Sequence, residues 1–439
     1  MLKNLITFFC FVFCFNLFAQ TPTIIFEEYT LPNGLKVILH ENHTTPIVAV
    51  SVMYHVGSKN EKPNRTGFAH FFEHLLFEGS KHIKRGEFFK YIENAGGQNN
   101  ANTTNDRTFY YEVLPSNQLE LGLWLESERL LHANINQDGV DTQNEVVKEE
   151  KRLRVDNQPY GSFFAEINKR AFKEHPYKWT TIGEMEHLDA ATLDEFIDFY
   201  HKFYVPENAI LSIAGDIDVA YTKQLISSYF GTIPRGKGDI EKVSIVEPPL
   251  GGEIRDTIYD DIQLPGVMMA YRAPKQGDED FYAIEMMSKI LSDGESSRLN
   301  KTCVEKSQSA MYCGSFPYAS EDPGLSFVYS IANSGVDPLD LELEINKELK
   351  LLQTTLVTEK EMQKIRNMIE NDFVGNFTSM IGIAENLANY KMYFGDANLI
   401  NTELNRYLKV TREDIMRVAN DYFKPSNRVI LYYLPNEKG

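Results

Sequence analysis

Two histidines and a glutamate lie in the apolar segment 67–77, which reads Gly-Phe-Ala-His-Phe-Phe-Glu-His-Leu-Leu-Phe. His70 and His74 are four residues apart, so on a helix both side chains lie on one face. Two neutral imidazoles at this spacing can bind one zinc ion. Glu73 borders the same face, and its carboxylate can act as general base toward a water that zinc activates. The segment therefore predicts a hydrolytic zinc centre with the inverted His-x-x-Glu-His order.

A purely structural helix is the alternative interpretation of this segment. Ala69, Phe72 and Leu75 form a buried stripe that any amphipathic helix would show. Polar side chains beside such a stripe need partners, however, and the chain has only ten histidines in 439 residues. A chance occurrence of the complete pattern is therefore a poor explanation, and the metal-binding interpretation is favoured.

A third protein ligand is expected, because catalytic zinc sites use three ligands and leave the fourth position to water or substrate. The charged segment 141–154 has the composition of a helix and contains three glutamates. Spacing alone does not choose among Glu145, Glu149 and Glu150.

The inverted motif, together with a glutamate 76 residues after its second histidine, resembles the pitrilysin/insulinase family of zinc peptidases. The resemblance is to the half-length branch that includes mitochondrial processing peptidase and bacterial zinc proteases. It implies that Glu150 is the third ligand and that each chain holds one zinc ion. Members of the family often carry another carboxylate seven residues before this ligand, where the present chain has Gln143.

Residues 98–113 begin with a polar stretch and continue with the composition of a strand. Taken alone, the polar stretch is typical of a solvated loop. The resemblance instead implies that Asn100, Ala101 and Thr103 lie on an edge strand beside the zinc. A substrate backbone would bind there as an additional strand, which tolerates many side chains.

A tandem repeat runs through the chain. Residues 192–208 and 411–427 share Thr, Pro and Asn at identical spacing, and each is followed by an aliphatic strand pattern. Residues 281–294 match the zinc-helix segment but carry Glu285, Ser288 and Lys289 at the ligand positions. Alternating strands and helices predict α/β or α+β halves. The resemblance implies an α+β fold of two homologous domains, each an antiparallel sheet with helices packed on one face.

The expected domain boundaries follow from the repeat and from the composition of the segments between its copies. Residues 1–19 have one lysine, an apolar stretch and a terminal alanine, which is typical of a secretory signal peptide. A catalytic zinc-binding domain is expected over 20–235, and a ligand-free homologous domain over 253–439. The segment 236–252 is rich in Gly and Pro and is the expected linker.

The overall charge excludes some classes of partner. The formal net charge is −18, and it becomes −19 without residues 1–19, which argues against nucleic acid and anionic membranes. The mature chain is expected to be exported, periplasmic or secreted, and free of the membrane because the apolar stretch is too short to span it. Cys303 and Cys313 would remain, either as a disulfide or as two free thiols.

The predicted function is that of a zinc metalloendopeptidase cleaving extended peptides or unfolded protein segments. A non-catalytic assembly subunit and a peptide-binding module are the alternatives, and the complete motif argues against both. Members of the family close a chamber from four such domains, and this chain has two, so a dimer is implied.

The partner is predicted from residues that the family places on its ligand-free half, an Arg and a Tyr seven residues apart. Tyr312 matches the tyrosine and is a candidate substrate-binding residue. The position seven residues earlier is Glu305, or Val304 with one insertion, and Arg298 is fourteen residues away. A heterodimer with a sister chain that lacks the motif is therefore favoured over a homodimer.

Overall fold

The computed structural model describes residues 23–436, so the predicted signal peptide lies outside the described residues. The strands are β1 (Glu27–Thr30), β2 (Lys36–Glu41), β3 (Ile47–Tyr54), β4 (Gln98–Thr103), β5 (Thr108–Pro115), β6 (Ala209–Gly215), β7 (Ile254–Asp260), β8 (Gly266–Ala273), β9 (Ala310–Pro317), β10 (Gly324–Ala332) and β11 (Arg428–Pro435). The helices are α1 (Phe68–Leu75), α2 (Phe88–Asn94), α3 (Leu119–His132), α4 (Gln137–Lys151), α5 (Phe163–Ala171), α6 (Met185–Asp189), α7 (Leu193–Phe203), α8 (Val219–Phe230), α9 (Glu279–Ser292), α10 (Pro338–Thr354), α11 (Glu359–Asn376), α12 (Met380–Phe394), α13 (Leu399–Thr402), α14 (Leu404–Lys409) and α15 (Arg412–Tyr422).

The strands form one sheet in each half of the chain. The first has the order β1-β2-β6-β3-β5-β4, and the second has the order β7-β11-β8-β10-β9. The α+β class with two similar halves is confirmed. Each sheet also contains one parallel pair, β2 with β6 and β7 with β11, which the expectation of antiparallel sheets did not include. A parallel pair needs a long crossover, and β6 and β11 return to their sheets only after most of the helices of their half.

β3 shows why the first sheet is buried on both faces. Its sequence, Ile-Val-Ala-Val-Ser-Val-Met-Tyr, is almost continuously apolar, and seven of its eight residues are buried. Val50 and Val52 pack into the core beneath the helices of the same half, whereas Ala49 and Met53 belong to a separate cluster on the opposite face. A run without polar alternation is typical of a strand covered on both sides.

The outer face of each sheet is covered by a helix from the other half. Helix α12, from the second half, packs Ile383, Ala384 and Leu387 against the first sheet. Helix α5, from the first half, packs Phe163 and Ile167 against the second sheet. Each sheet is thus enclosed between its own helices and one exchanged helix. The sequence predicted helices on one face of each sheet. That prediction did not include the helix from the other half that covers the second face.

A buried lysine joins the halves close to the zinc-helix region. Lys59 is only 6% exposed, and its Nζ lies 2.9 Å from Asp106 Oδ1, 2.6 Å from Glu321 Oε2 and 3.3 Å from Asp322 Oδ2. Tyr177 donates a hydrogen bond of 2.6 Å to Asp106 Oδ1. These contacts hold the 318–324 loop of the second half against the turn between β4 and β5.

The two cysteines and the character of the helices were also subjects of the sequence predictions. Cys303 and Cys313 are both buried free thiols in the structure. Within residues 23–436, every helix falls short of the length and apolar character that crossing a bilayer requires.

Candidate active site

The start of α1 is fixed by groups that lie outside the motif. Gly67 precedes the helix with φ of +92°, a left-handed conformation that glycine adopts without strain. The carboxylate of Glu61 accepts hydrogen bonds of 2.9 Å from Gly67 N and 2.8 Å from Ala69 N. It thereby satisfies two of the amides that a helix start leaves unpaired. A Cβ on Gly183 would lie 2.3 Å from Gly67 N, so the 180–184 loop packs directly against this point.

Aromatic side chains fix the opposite face of α1. The ring of Phe68 stacks on Phe196 at 4.6 Å between centroids, and Phe72 stacks on Phe199 at 5.3 Å. The hydroxyl of Tyr110 donates a 3.0 Å hydrogen bond to the carbonyl of Phe72. With this face held by α7 and β5, the face with the two histidines is directed into a cavity.

The structure brings His70, His74 and Glu150 together. Glu150 Oε2, on α4, lies 3.0 Å from His74 Nε2 and 3.5 Å from His70 Nε2, and the three ligand atoms lie within 4.8 Å of one another. Neither contact has the alignment of a hydrogen bond, and Glu150 Oε2 has no hydrogen-bond partner among the described residues. Two imidazole nitrogens and a carboxylate oxygen that converge in this way fit the ligand set of a zinc site.

The other two glutamates of α4 point away from this cluster. Glu145 is 77% exposed in its side chain and contacts Lys148, and Glu149 is 50% exposed and contacts Arg152. The position seven residues before Glu150 supplies an amide, because Gln143 Nε2 donates a 2.5 Å hydrogen bond to Glu78. Of the three glutamates, Glu150 is therefore the one whose carboxylate lies beside both histidines.

Arg154 is a neighbour of the site that was not predicted from the sequence. Its Nη1 lies 2.7 Å from Glu150 Oε1, so this oxygen is engaged while Oε2 faces the histidines. The two residues are four apart on a helical segment, and this spacing is a signal from which the pair can be predicted.

Burial sets the protonation of the two groups that matter most for chemistry. Burial and the neighbouring His74 imidazole lower the pKa of His70 to about 4, so its ring is neutral and its nitrogen lone pair is available. Burial raises the pKa of Glu73, and a 2.6 Å hydrogen bond from Thr103 Oγ1 to Glu73 Oε2 opposes that rise. A carboxylate whose pKa lies above its ordinary value is a better proton acceptor at neutral pH.

Asn100, Ala101 and Thr103 all lie on β4, the edge strand of the first sheet, and line the cavity. On one side β4 pairs with β5, with Ala101 opposite Tyr110. On its other side no strand pairs with β4 in the part of the chain that the structure describes. The Asn100 side chain accepts a 2.9 Å hydrogen bond from Ala101 N, so its amide is engaged locally.

The cavity at the site has a volume of about 1240 Å³ and is lined by both halves of the chain. The first half contributes the metal-ligand cluster, β4 and the exposed apolar side chains Val146, Leu153 and Phe164. The second half contributes residues of β10 and the loop before it, including Tyr318 and Phe327. The second-half residues were not predicted from the sequence, because nothing in the local pattern of β10 indicates which cavity it faces.

Tyr312 is not brought to this cavity within the chain. It lies half-exposed on β9 and lines a separate cavity of about 680 Å³, most of whose residues belong to the second half. That cavity also contains Glu285, Ser288 and Lys289, which occupy the positions of the zinc ligands in the repeat. Arg298 is also engaged elsewhere, since its Nε donates a 2.8 Å hydrogen bond to Glu361.

Comparison with known proteins agrees with the division of the chain into a half with the ligands and a half without them. The model of "Insulinase (Peptidase family M16)" matches residues 36–184, and that of "Peptidase M16 inactive domain" matches residues 190–369. The second match includes α9, where the ligand residues are replaced.

Individual relatives and solved structures extend the likeness over nearly the whole chain. The zinc protease PqqE of Helicobacter pylori is 30% identical over 96% of this chain and 95% of its own. The mitochondrial-processing peptidase subunit beta of Blastocladiella emersonii is 25% identical, over 93% of this chain and 88% of its own. The crystal structure of a protease from Helicobacter pylori superimposes with a TM-score of 0.90 and 30% identity, covering 94% of this chain and all of that one. The resemblance seen in the sequence is confirmed, and the chain belongs to the insulinase family, peptidase family M16.

Proposed function

We propose that this chain is a zinc-dependent metalloendopeptidase that cleaves extended peptides or unfolded protein segments. The observation that carries the proposal is the convergence of His70, His74 and Glu150 with Glu73 beside them. The names of its relatives, which include zinc proteases, support the same activity. Zinc held by these three residues would supply a Lewis acid that polarises the scissile carbonyl.

The chain's own residues supply the remaining parts of the reaction. Glu73 accepts a proton from the attacking water and can return it to the leaving amine. Thr103 orients the Glu73 carboxylate by its hydrogen bond and at the same time belongs to the edge strand. The substrate backbone would extend along β4, which places the scissile bond next to both groups.

The expected substrate class follows from the cavity and its edge. A volume of about 1240 Å³ exceeds the roughly 300–1,000 Å³ of typical small-molecule sites. Backbone pairing at β4 requires an extended segment, which folded proteins rarely offer. Exposed Val146, Leu153 and Phe164 provide apolar surface for its side chains.

A non-catalytic assembly subunit of the same family is the alternative. The match to an inactive domain concerns residues 190–369 and does not include the zinc helix or Glu150. The complete set of ligands and base in the first half favours the catalytic role.

Substitution of the general base tests the proposed activity. Glu73→Gln keeps the volume of the side chain but removes the proton acceptor, so we expect hydrolysis of an unstructured peptide to fall by about 10²–10⁴-fold with zinc retained. Glu145→Gln, exposed on α4 and outside the cavity, is the matched control and should leave turnover unchanged. Near wild-type turnover of Glu73→Gln would remove Glu73 from this role.

We propose further that the active form is a dimer with a sister chain that lacks the zinc motif. The position of Tyr312 in another cavity and the pairing of Arg298 with Glu361 support a second subunit as the source of the missing donors. The test is a peptide-cleavage assay of the mature chain, alone and with such a sister chain, with native mass measured in parallel. Robust zinc-dependent cleavage by a homodimer would contradict the heterodimer.

The exported location is part of the same proposal. It is supported by the lysine and apolar stretch within residues 1–19. N-terminal sequencing of the protein from its native source should begin at Gln20. A product beginning at Met1 would contradict export by a cleaved signal.

A further inference from the structure

A second cluster of metal-binding side chains lies in the first half, outside the cavity described above. His82, Glu128 and His132 each offer a ligand atom, and these atoms lie within 4.8 Å of one another. Glu128 Oε1 lies 2.8 Å from His82 Nδ1. The rings of His82 and His132 meet edge to face with centroids 5.3 Å apart. Two imidazoles and a carboxylate form the same donor set as the predicted zinc site.

The carboxylate of this cluster is buried and held in place. Glu128 is only 5% exposed, although it lies on α3 near the surface. Ser80 Oγ donates a 2.5 Å hydrogen bond to Glu128 Oε2, which leaves Oε1 directed toward His82. His132 lies one helical turn after Glu128, so both side chains project from the same face of α3.

Backbone hydrogen bonds bring His82 to this face independently of any ion. Lys81 N donates to His132 O at 2.9 Å, and Asn134 N donates to Gly79 O at 3.1 Å. Ser80 and Ala133 form an isolated β-bridge between the same two segments. The 79–83 loop is therefore attached to the end of α3, and the three donors are preorganised, which reduces the ordering that binding requires.

We propose that His82, Glu128 and His132 bind a second divalent transition-metal ion, with zinc as the ion that their chemistry favours. Imidazole and carboxylate ligands suit zinc, and three protein ligands leave a position for water. The His82 side chain is 50% exposed, so an ion can reach the cluster from solvent. The contact that the ion replaces is the 2.8 Å hydrogen bond between His82 Nδ1 and Glu128 Oε1, so both atoms already face each other.

The second ion would have a structural effect. The 79–83 loop follows α1 by a few residues, and α3 lies beneath it in the same core. An ion bound between loop and helix stabilises the folded state according to its free concentration and affinity. Zinc should therefore raise the melting temperature even when the predicted catalytic ligands are absent.

Metal counting with paired variants tests the second site. The full mature chain is stripped with a chelator, mixed with a slight excess of zinc alone and freed of unbound metal. We expect two zinc ions per wild-type chain, one in His82→Gln/His132→Gln and one in His70→Gln/His74→Gln. His201→Gln, an exposed histidine on α7, is the control and should retain both ions.

Two further readouts separate this site from the proposed activity. His82→Gln/His132→Gln should keep peptide cleavage, and His70→Gln/His74→Gln should still be stabilised by zinc in a thermal melt. One ion per wild-type chain, lost only in His70→Gln/His74→Gln, would overturn the second site and leave the peptidase proposal intact. Two ions retained in His82→Gln/His132→Gln would overturn it equally.

Discussion

The two oxygens of Glu150 have different neighbours, and this difference selects it from three candidate glutamates. Oε1 contacts the Arg154 guanidinium at 2.7 Å, and Oε2 faces both histidines. Glu149 is the adjacent residue, but its carboxylate pairs with Arg152 on the exposed side of α4. Neighbours on a helix are separated by about 100° around the axis, so a single step in sequence removes a carboxylate from the site.

Neutralising Glu150 should weaken zinc binding specifically. Glu150→Gln replaces an anionic ligand by a weak neutral one, so we expect zinc affinity to fall by at least 10-fold, a loss of about 1.4 kcal/mol. Zinc content after dialysis against a graded chelator measures the change. Glu149→Gln and Glu145→Gln are matched controls on the same helix. Loss of zinc from Glu145→Gln with retention in Glu150→Gln would assign the third ligand elsewhere.

For individual residues, the sequence alone predicts which side chains meet in the site only where they belong to one helix or strand, because spacing then determines their relative positions. His70, Glu73 and His74 share a helix, so their convergence follows from its periodicity. Glu150 lies on another element, and only the resemblance distinguished it from its neighbours. The residues of β10 that line the cavity come from the opposite half, and their placement depends on how two sheets pack.

At the scale of the element, the first turn of α1 depends on a carboxylate six residues before it. Glu61 lies outside the helix, yet its two oxygens accept hydrogen bonds from backbone N–H groups at the helix start. The zinc helix was predicted from the sequence, but this cap was not. The usual capping signal is a residue at the helix boundary itself. Glu61 instead lies in a separate turn that precedes the helix, so the local pattern does not indicate it as a cap.

Glu61→Gln should loosen the start of the zinc helix. The amide keeps one acceptor oxygen and brings an N–H donor against a backbone N–H, so we expect a loss of about 1–3 kcal/mol in the free energy of unfolding. Urea denaturation measures the loss, and the zinc affinity should fall with it because His70 lies in the same turn. Glu145→Gln, exposed on α4, serves as the control. Unchanged stability would show that the helix start is held mainly by its aromatic packing.

At the scale of the whole molecule, the halves are joined by exchanged helices and by the ion cluster at Lys59. Glu321, from the second half, accepts hydrogen bonds from His55 at 2.7 Å and Lys59 at 2.6 Å, both in the first half. Although burial opposes it, these hydrogen bonds and charges lower the pKa of Glu321 to about 2. Asp106 and Asp322 complete the cluster on the other sides of Lys59.

The depressed pKa predicts how acid weakens the junction of the halves. A carboxylate with a folded pKa of about 2 and an ordinary value of 4.5 contributes stability that is complete above pH 4.5 and is lost as the pH falls toward 2. We expect Glu321→Gln to lower the free energy of unfolding by about 1–3 kcal/mol at pH 6 and by less at pH 3. Urea denaturation at both pH values measures the difference. Glu413→Gln, exposed on α15, is the control, and an equal deficit at both pH values would contradict the assignment.

The exchange of α5 and α12 also sets an order of events during synthesis. The last strand of the first sheet ends at Gly215, but the helix that covers its outer face begins only at Met380. At ribosomal rates of about 5–20 residues per second, the delay is on the order of 10–30 s. During that interval a nascent chain exposes Ile38, Ala49 and Met53, which α12 later buries. The first half therefore cannot cover the outer face of its sheet before residues 380–394 are available, whether the chain folds during synthesis or after export.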